Sequence, residues 1–439
     1  MHILVFTHTT TKRSEYIIDH ILGVMLGLKV VITNSNNEFK SYKGPRLSYS
    51  KTASFYDDAI CVKPCGLLNE DGISEQPTDI FQWRLLPAFF PTNSEGLIPF
   101  DIFAASFYLL SRYEEYFPGN KDEHDRFCYN KSIAFRNSFL EVPLVDFWVR
   151  ELGQIISEKF PQVKIMRRVF KYTPTIDIDN AFAYKHKGFI RSALATVRSL
   201  LQLNFYNFSE RLAVLAGRKP DPFDTYQELF RILKNHPQAI WFILGGKYGK
   251  YDKHVSLNNK SMQSVVKDIG KYFDVGIHPS YGSHTNYNRL KEEVSQLRTT
   301  IGSEITKSRH HFLRIQLPAT YRLLSDIGIT EDYSMGYSNA IGFRASTCTP
   351  YPFFDLLNNE VLPVTVVPFQ VMDRALLQGL GLTAHQAVSI TLNMALKVKE
   401  MGGEFVSVWH NESLSGKDEW EGWGIVFATV VNELEKLSS

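Results

Sequence analysis

The stretch TPTIDIDNAF at residues 173–182 sets Asp177 and Asp179 two residues apart inside a run that reads as a buried strand. On an extended chain Thr175, Asp177 and Asp179 share one face, and Ile176 and Ile178 share the other. Two neighbouring carboxylates repel, so folding needs a proton, hydrogen-bond donors or a cation between them. His278 ends the strand-like segment FDVGIHP, and His410 ends EFVSVWH. A carboxylate and imidazoles gathered at one rim form a donor set suited to zinc or a similar divalent ion. In that arrangement Asp179 binds the cation, and the cation lets Asp177 stay ionised beside it. Local readings compete with this one. Asp179 can cap a helix starting in NAFAYKHKG, His278 can be a turn histidine before Pro279, and His410 can bond to Asn411 and Glu412.

The elements that must position these groups follow from periodicity. Beyond residue 170 the strand candidates are VFKYTPTIDID, AIWFILGG, FDVGIHP, HHFLRIQ, IGFRAS, LPVTVVPF and EFVSVWH. Most are separated by helical stretches, such as Tyr287–Ile301 with Leu290, Val294, Leu297 and Ile301 on one face and Gly302 as its stop. Seven strands with intervening helices predict a parallel β/α sheet, open or closed into a barrel. Closed barrels of this kind carry their chemistry at the C-terminal strand ends, where the polar residues cluster. The first part of the chain reads as a smaller α/β unit. ILVF, KVVIT, LSYS and AICV are its short strands, and helices run from about Glu15 to Leu26, from Asp101 to Phe117 with Asp101 as cap, and from Pro143 to Phe160. This divides the chain into 1–165 and 166–439.

The 439 residues carry 48 basic and 46 acidic side chains, a net charge of +2, which gives no bulk electrostatic case for nucleic acid or an anionic membrane as partner. Of Cys61, Cys65, Cys128 and Cys348 only the first two are close, and no second pair completes a zinc site, so reduced thiols are expected. The N-terminus MHILVFTHTTTKR places its charge after a short apolar run, the wrong order for a secretory signal. No run approaches the ~20 apolar residues that span a bilayer, so a cytoplasmic location is expected. In the loop PGNKDEHDRF, the acids Asp122, Glu123 and Asp125 with His124 read as solvated charges. KYGKYDKH has glycines and lysines but lacks the spacing of a phosphate loop. Trp241, Trp409, Trp420 and Trp423 offer either sugar stacking or core packing.

Five segments in order resemble the NodB-homology polysaccharide deacetylases of carbohydrate esterase family four. TIDID resembles the first motif, with its base Asp and metal-binding Asp, in a spaced form. GIHPSYGSH resembles the histidine motif, RHHFLRIQLP the Arg-containing strand, GFRASTCTPYPF a later active-site segment, and SVWHN the last motif. The likeness covers roughly residues 170–430, and the segment before it resembles the α/β module that often precedes such domains in Bacteroidetes-like chains.

The resemblance implies a distorted (β/α) barrel of about seven parallel strands and a metal-dependent hydrolase that removes acetyl groups from an acetylated sugar or polysaccharide. Asp179 and His278 would bind the metal, most plainly zinc. Asp177 would take a proton from the attacking water, and His410 would protonate the leaving amine. Arg309 would orient Asp177 or offset its charge, and Arg344 would do similar work, contact substrate or form a structural salt bridge. One departure matters: Gly282 stands where the family's second metal histidine is expected. His311, alternating with Arg309, is preferred over His284 as third ligand, while His310 points the opposite way. Should neither histidine reach the site, chelation fails, and the chain would be a non-catalytic carbohydrate-binding protein on the same fold.

Overall fold

Two mainly parallel sheets, drawn from successive parts of the chain, frame the structure. The computed structural model describes residues 2–51, 58–92, 96–188, 192–195, 201 and 205–438. The first sheet holds β1 (Ile3–Thr7), β2 (Val30–Thr33), β3 (Arg46–Tyr49) and β4 (Ile60–Val62) in the order β2-β1-β3-β4, all parallel. Helix α1 (Lys12–Ile18), capped by Thr11, runs on as a wider π turn to Met25. Helix α2 (Ile102–Leu110) is capped by the Asp101 side chain, which accepts from the Ala104 N–H. It stops short of the predicted Phe117, because Arg112 turns left-handed at φ 53° and buries its guanidinium against Glu114 and Glu115. Helix α3 (Leu144–Lys159) closes this part, and an irregular stretch leads to the next strand at Lys171.

The second sheet has nine strands: β5 (Lys171–Ile178), β6 (Ile240–Leu244), β7 (Asp274–His278), β8 (Lys307–Ser308), β9 (Glu331–Asp332), β10 (Tyr351–Asp355), β11 (Glu360–Val366), β12 (Val371–Met372) and β13 (Glu404–His410). Their spatial order is β10-β11-β9-β8-β7-β6-β5-β13-β12, and only β10 runs antiparallel to its neighbour. The sheet is curled. Val367 and Phe369, just beyond β11, pack in one buried cluster with Met372 of β12, Val406 and Val408 of β13, and Ile240 and Phe242 of β6. Residues from opposite ends of the strand order therefore share one interior, and β5 lies with its C-terminal end at the mouth of that interior.

Two predicted strands are not strands. The ladder ends at Ser308, before HHFLRIQ begins, the chain stays extended to His311, and Phe312 and Leu313 turn left-handed at φ 61° and 54°. IGFRAS is a set of buried turns whose Gly342 and Phe343 N–H groups donate to Gln370 O and Leu140 O. An apolar run signals burial, and here burial is met without a ladder. In their place stand β9 and β12, two residues each. A strand of that length shows no alternation to read.

The two parts share one core. Tyr16 and Phe107 pack on Phe354 with ring centroids 5.1 and 5.0 Å away, and the Tyr16 hydroxyl donates to Pro352 O at 2.9 Å. Each such aromatic, fully buried, contributes about 1.5–3 kcal/mol. Asp146 of α3 accepts from Arg168, Thr347, Thr349 and the Cys348 N–H, tying α3 to the second part. Among the described residues Cys61, Cys65, Cys128 and Cys348 form no disulfide. Among the described residues no helix is long and apolar enough to cross a membrane.

Candidate metal centre

Parallel register brings the predicted groups to one rim. β5 lies between β13 and β6, so His410 is paired with Asp177, and Asp177 with Phe242. One strand further, Phe242 is level with Gly276 of β7, and His278 ends that strand two residues on. A Cβ at Gly276 would stand 2.6 Å from the Phe242 ring and 2.9 Å from Lys307 O, so only glycine lets this ring lie against β7. The ring in turn supports Arg309, whose guanidinium carbon sits 4.6 Å from its centroid.

Asp179 stands just past β5, and three imidazoles face its carboxylate. His278 Nε2 lies 3.2 Å from Oδ1, His311 Nε2 3.4 Å from Oδ2, and His410 Nε2 3.7 Å from Oδ2. Each Nδ1 is already committed. That of His278 bonds the Arg309 carbonyl, that of His311 lies 2.9 Å from Asp252 Oδ1, and that of His410 lies 2.8 Å from Asp373 Oδ1. An imidazole anchored at Nδ1 by a carbonyl or carboxylate presents the lone pair of Nε2, the form that binds metal.

The centre fits a divalent ion on its own geometry. Asp179 Oδ1 is buried and accepts no hydrogen bond. Oxygen and nitrogen ligands about 2.1 Å from a tetrahedral zinc stand roughly 3.4 Å apart, close to the separations of Asp179 from His278 and His311. Donor atoms of Asp179, His278 and His311 all lie within 4.8 Å of one another. One carboxylate with two imidazoles leaves coordination open for a small molecule.

Charge explains the titration. Burial alone would raise Asp179, but His311 and His410 hold it well below the usual carboxylate range. Burial alone would lower His311, but Asp179 and then Asp252 lift it to about 9. His410 is likewise raised, against burial, by Asp373 and then Asp179. Asp177 is buried beside them, with Arg309 Nη1 donating to Oδ1 at 2.8 Å and to Thr175 Oγ1 at 2.7 Å. Asp177, Asp179, His278, His311 and His410 all border one cavity of about 490 Å³.

Other expectations fare differently. No helix follows Asp179, because residues 180–188 form turns, so the acid is not a helix cap. His284 lies apart, its Nδ1 3.4 Å from Arg314 Nη1. Arg344 does not reach the centre. Its guanidinium is buried in a two-pronged pair with Glu115, at 2.9 and 2.6 Å. Trp241, Trp409, Trp420 and Trp423 are all buried, the first two completely, which leaves them as core. Asp252 and Asp373, which anchor two of the imidazoles, escape sequence reasoning. The first sits in KYGKYDKH and the second follows two-residue β12, where no period marks them.

Residues 3–161 match the model of a family of unknown function, DUF7033. No curated protein matches the chain. A Mycobacterium smegmatis protein provisionally named a polysaccharide deacetylase is 15% identical, with TM-score 0.40 over 61% of this chain and 84% of that one. A GH57 branching enzyme from Thermococcus kodakaraensis is 9% identical, with TM-score 0.35 over 62% and 69%. The 7,8-dihydropteroate synthase of Vibrio fischeri is 11% identical, with TM-score 0.27 over 63% and 97%. None of these scores reaches 0.5, so none bears on what the centre does.

Proposed function

We propose that the chain is a metal-dependent hydrolase that removes acetyl groups from an acetylated sugar or polysaccharide. Residues 166–439 would form the distorted (β/α) barrel that carries the chemistry, and residues 1–165 a smaller α/β module packed on it. The observation that carries this reading is the convergence of imidazole Nε2 atoms on Asp179, each ring fixed through Nδ1, beside the buried Asp177 held by arginine. Asp179, His278 and His311 would hold the ion, with zinc the best match to the donor set. Bound there, it would supply Lewis acidity toward a water and an acetyl carbonyl.

The chain's own groups account for the proton movements. Asp177, whose Oδ1 accepts from Arg309 Nη1 at 2.8 Å, would accept the proton of the attacking water. His410, raised against burial by Asp373, would give its Nε2 proton to the departing amine nitrogen. Water adds to the carbonyl carbon, the carbon–nitrogen bond breaks, and acetate and a free amine leave. Gly282 favours a non-catalytic glycan binder only if no third ligand exists, and the closeness of His311 to Asp179 and His278 supports the hydrolase instead.

The test is metal analysis of purified protein together with acetate release from N-acetylated oligosaccharides. One equivalent of metal per chain, with activity lost to a chelator and restored by zinc or cobalt, is expected. Glycan binding untouched by chelator, with no acetate from any acetylated glycan, would instead make the protein a binder.

A further inference from the structure

The loop that sequence reasoning treated as solvated charge forms a wall of the cavity above the centre. Residues 120–128 make a short hairpin: Lys121 bridges Phe127, Cys128 N donates to Asn120 O at 2.8 Å, and Asp122 N to Arg126 O at 2.9 Å. It is pinned to the second part of the chain at three points. Arg126 Nη1 donates to Phe312 O at 3.2 Å, Arg314 Nε to His124 O at 3.0 Å, and His124 Nδ1 lies 3.2 Å from the Tyr281 hydroxyl. The His124 ring meets Tyr251, Tyr281 and Phe312 edge-on, with centroids 5.5, 5.8 and 4.8 Å away. His124 and Arg126, with side chains 15% and 18% exposed, border the same cavity as Asp177, Asp179 and His410.

Its chemistry suits a sugar. Tyr251 and Phe312 line it with aromatic surface suited to the apolar face of a pyranose, and Arg126, Asn339 and Arg374 line it with polar groups suited to sugar hydroxyls, although the Arg126 Nε also donates to Asp122 Oδ2 at 2.8 Å. Its shape limits which sugar. The hairpin is fastened to Phe312 and Arg314, directly after metal-binding candidate His311, so a glycan chain running outward past His311 meets the hairpin there. A groove that takes internal segments of a polymer needs that path open.

We infer that the N-terminal part of the chain completes the substrate site, with Arg126 and His124 contacting the sugar beside the reacting one, and that the substrate is a chain end or a short acetylated oligosaccharide. This rests on the deacetylase reading of the centre beneath. The experiment uses the full chain and acetylated glucosamine oligomers of increasing length beside a long soluble polymer. Short oligomers are expected to match or exceed the polymer in kcat/KM per acetyl group, with acetate released from chain ends only. Arg126→Ala and His124→Phe, the second retaining the ring contacts, are expected to raise KM about tenfold at nearly constant kcat and unchanged metal content. Lys121→Ala, half-exposed on the same hairpin, should change neither, so a merely structural hairpin is told apart by the KM-against-kcat split.

Unchanged KM in both variants, or internal deacetylation of the polymer as fast as that of short oligomers, would overturn the inference while leaving the deacetylase reading intact. Should the parent protein release no acetate at all, the deacetylase reading falls. Titration calorimetry with a short acetylated oligomer then decides the wall, and equal affinity in parent and Arg126→Ala overturns it.

Discussion

Two aspartates, Asp146 buried at the seam between the two parts and Asp179 partly buried at the mouth of the second, show how alike an acid can look in sequence and how differently it can be used. Asp146 is saturated. Its two oxygens accept from Arg168 at 2.9 Å, Thr347 at 2.7 Å, Thr349 at 2.6 Å and the Cys348 N–H at 3.0 Å. Asp179 is crowded by imidazole nitrogens, yet its Oδ1 accepts no hydrogen bond. Both stay ionised against the pull of burial, Asp146 through Arg168 and Asp179 through His311 and His410. A carboxylate whose lone pairs are filled by the protein is a clamp, whereas one with open lone pairs facing histidines can hold a cation.

The comparison breaks if the two acids can be exchanged in role. Asp146→Ala is expected to cost about 3–5 kcal/mol, because it leaves Arg168 partly buried without its partner. That loss would be read by denaturant unfolding, with metal content per folded chain unchanged. Asp179→Ala should do the reverse, removing bound metal and activity together, with unfolding differing from that of the metal-free parent only by the lost pairing with His311 and His410. Equal metal loss in both variants, or none in either, would show that saturation of lone pairs does not separate the two uses.

His410 and Asp373 sharpen the contrast within the mouth itself. The pair lies beside Asp179, but His410 is not one of the three mutually close donors. His410→Ala is expected to lower kcat by about 10²–10⁴ with metal content retained, since general acid catalysis contributes on that scale. Asp373→Asn removes the main group that raises His410, so the protonated form is lost at lower pH. The basic limb of the kcat profile should therefore move to lower pH, which a rate profile with the metal saturating would detect.

Legibility tracks the length of a period. The alternation of TIDID, FDVGIHP and EFVSVWH marks β5, β7 and β13, and the stripe from Leu290 to Ile301 with Gly302 at φ 80° gives a helix from Tyr287 to Ile301. Asp177, Asp179, His278 and His410 ride on those long elements, and their gathering at one rim follows from parallel register. Groups on short or irregular elements carry no such mark. Asp373 follows a two-residue strand, Asp252 sits in a loop, and the partner of Arg344 is Glu115, 229 residues earlier in the chain. His311 is an instructive middle case. Alternation with Arg309 holds because the chain stays extended that far, although the predicted strand has already lost its ladder and Phe312 turns away.

Asp252 is where the smallest effect is expected, because it touches the ion's seat only through His311, 2.9 Å from Nδ1. With metal absent His311 is raised to about 9, first against burial, then by Asp179 and by Asp252. A raised imidazole adds stability that is fully present below its unfolded value of ~6.5 and is lost as pH rises through about 9. The metal-free protein should therefore lose stability between those limits. Metal binding must displace the same proton, so affinity should rise about tenfold per pH unit through this window and level off near its upper end. Asp252→Asn removes one of the groups that raise His311 and loosens the ring's orientation. Its metal affinity at the plateau should fall about 10–100-fold, the usual cost of losing such a supporting carboxylate. The pH at which the plateau begins should shift down. Competition with a metal-sensitive dye across the pH range reads both quantities, and a variant that lost affinity without moving the plateau would show that Asp252 orients His311 without setting its charge.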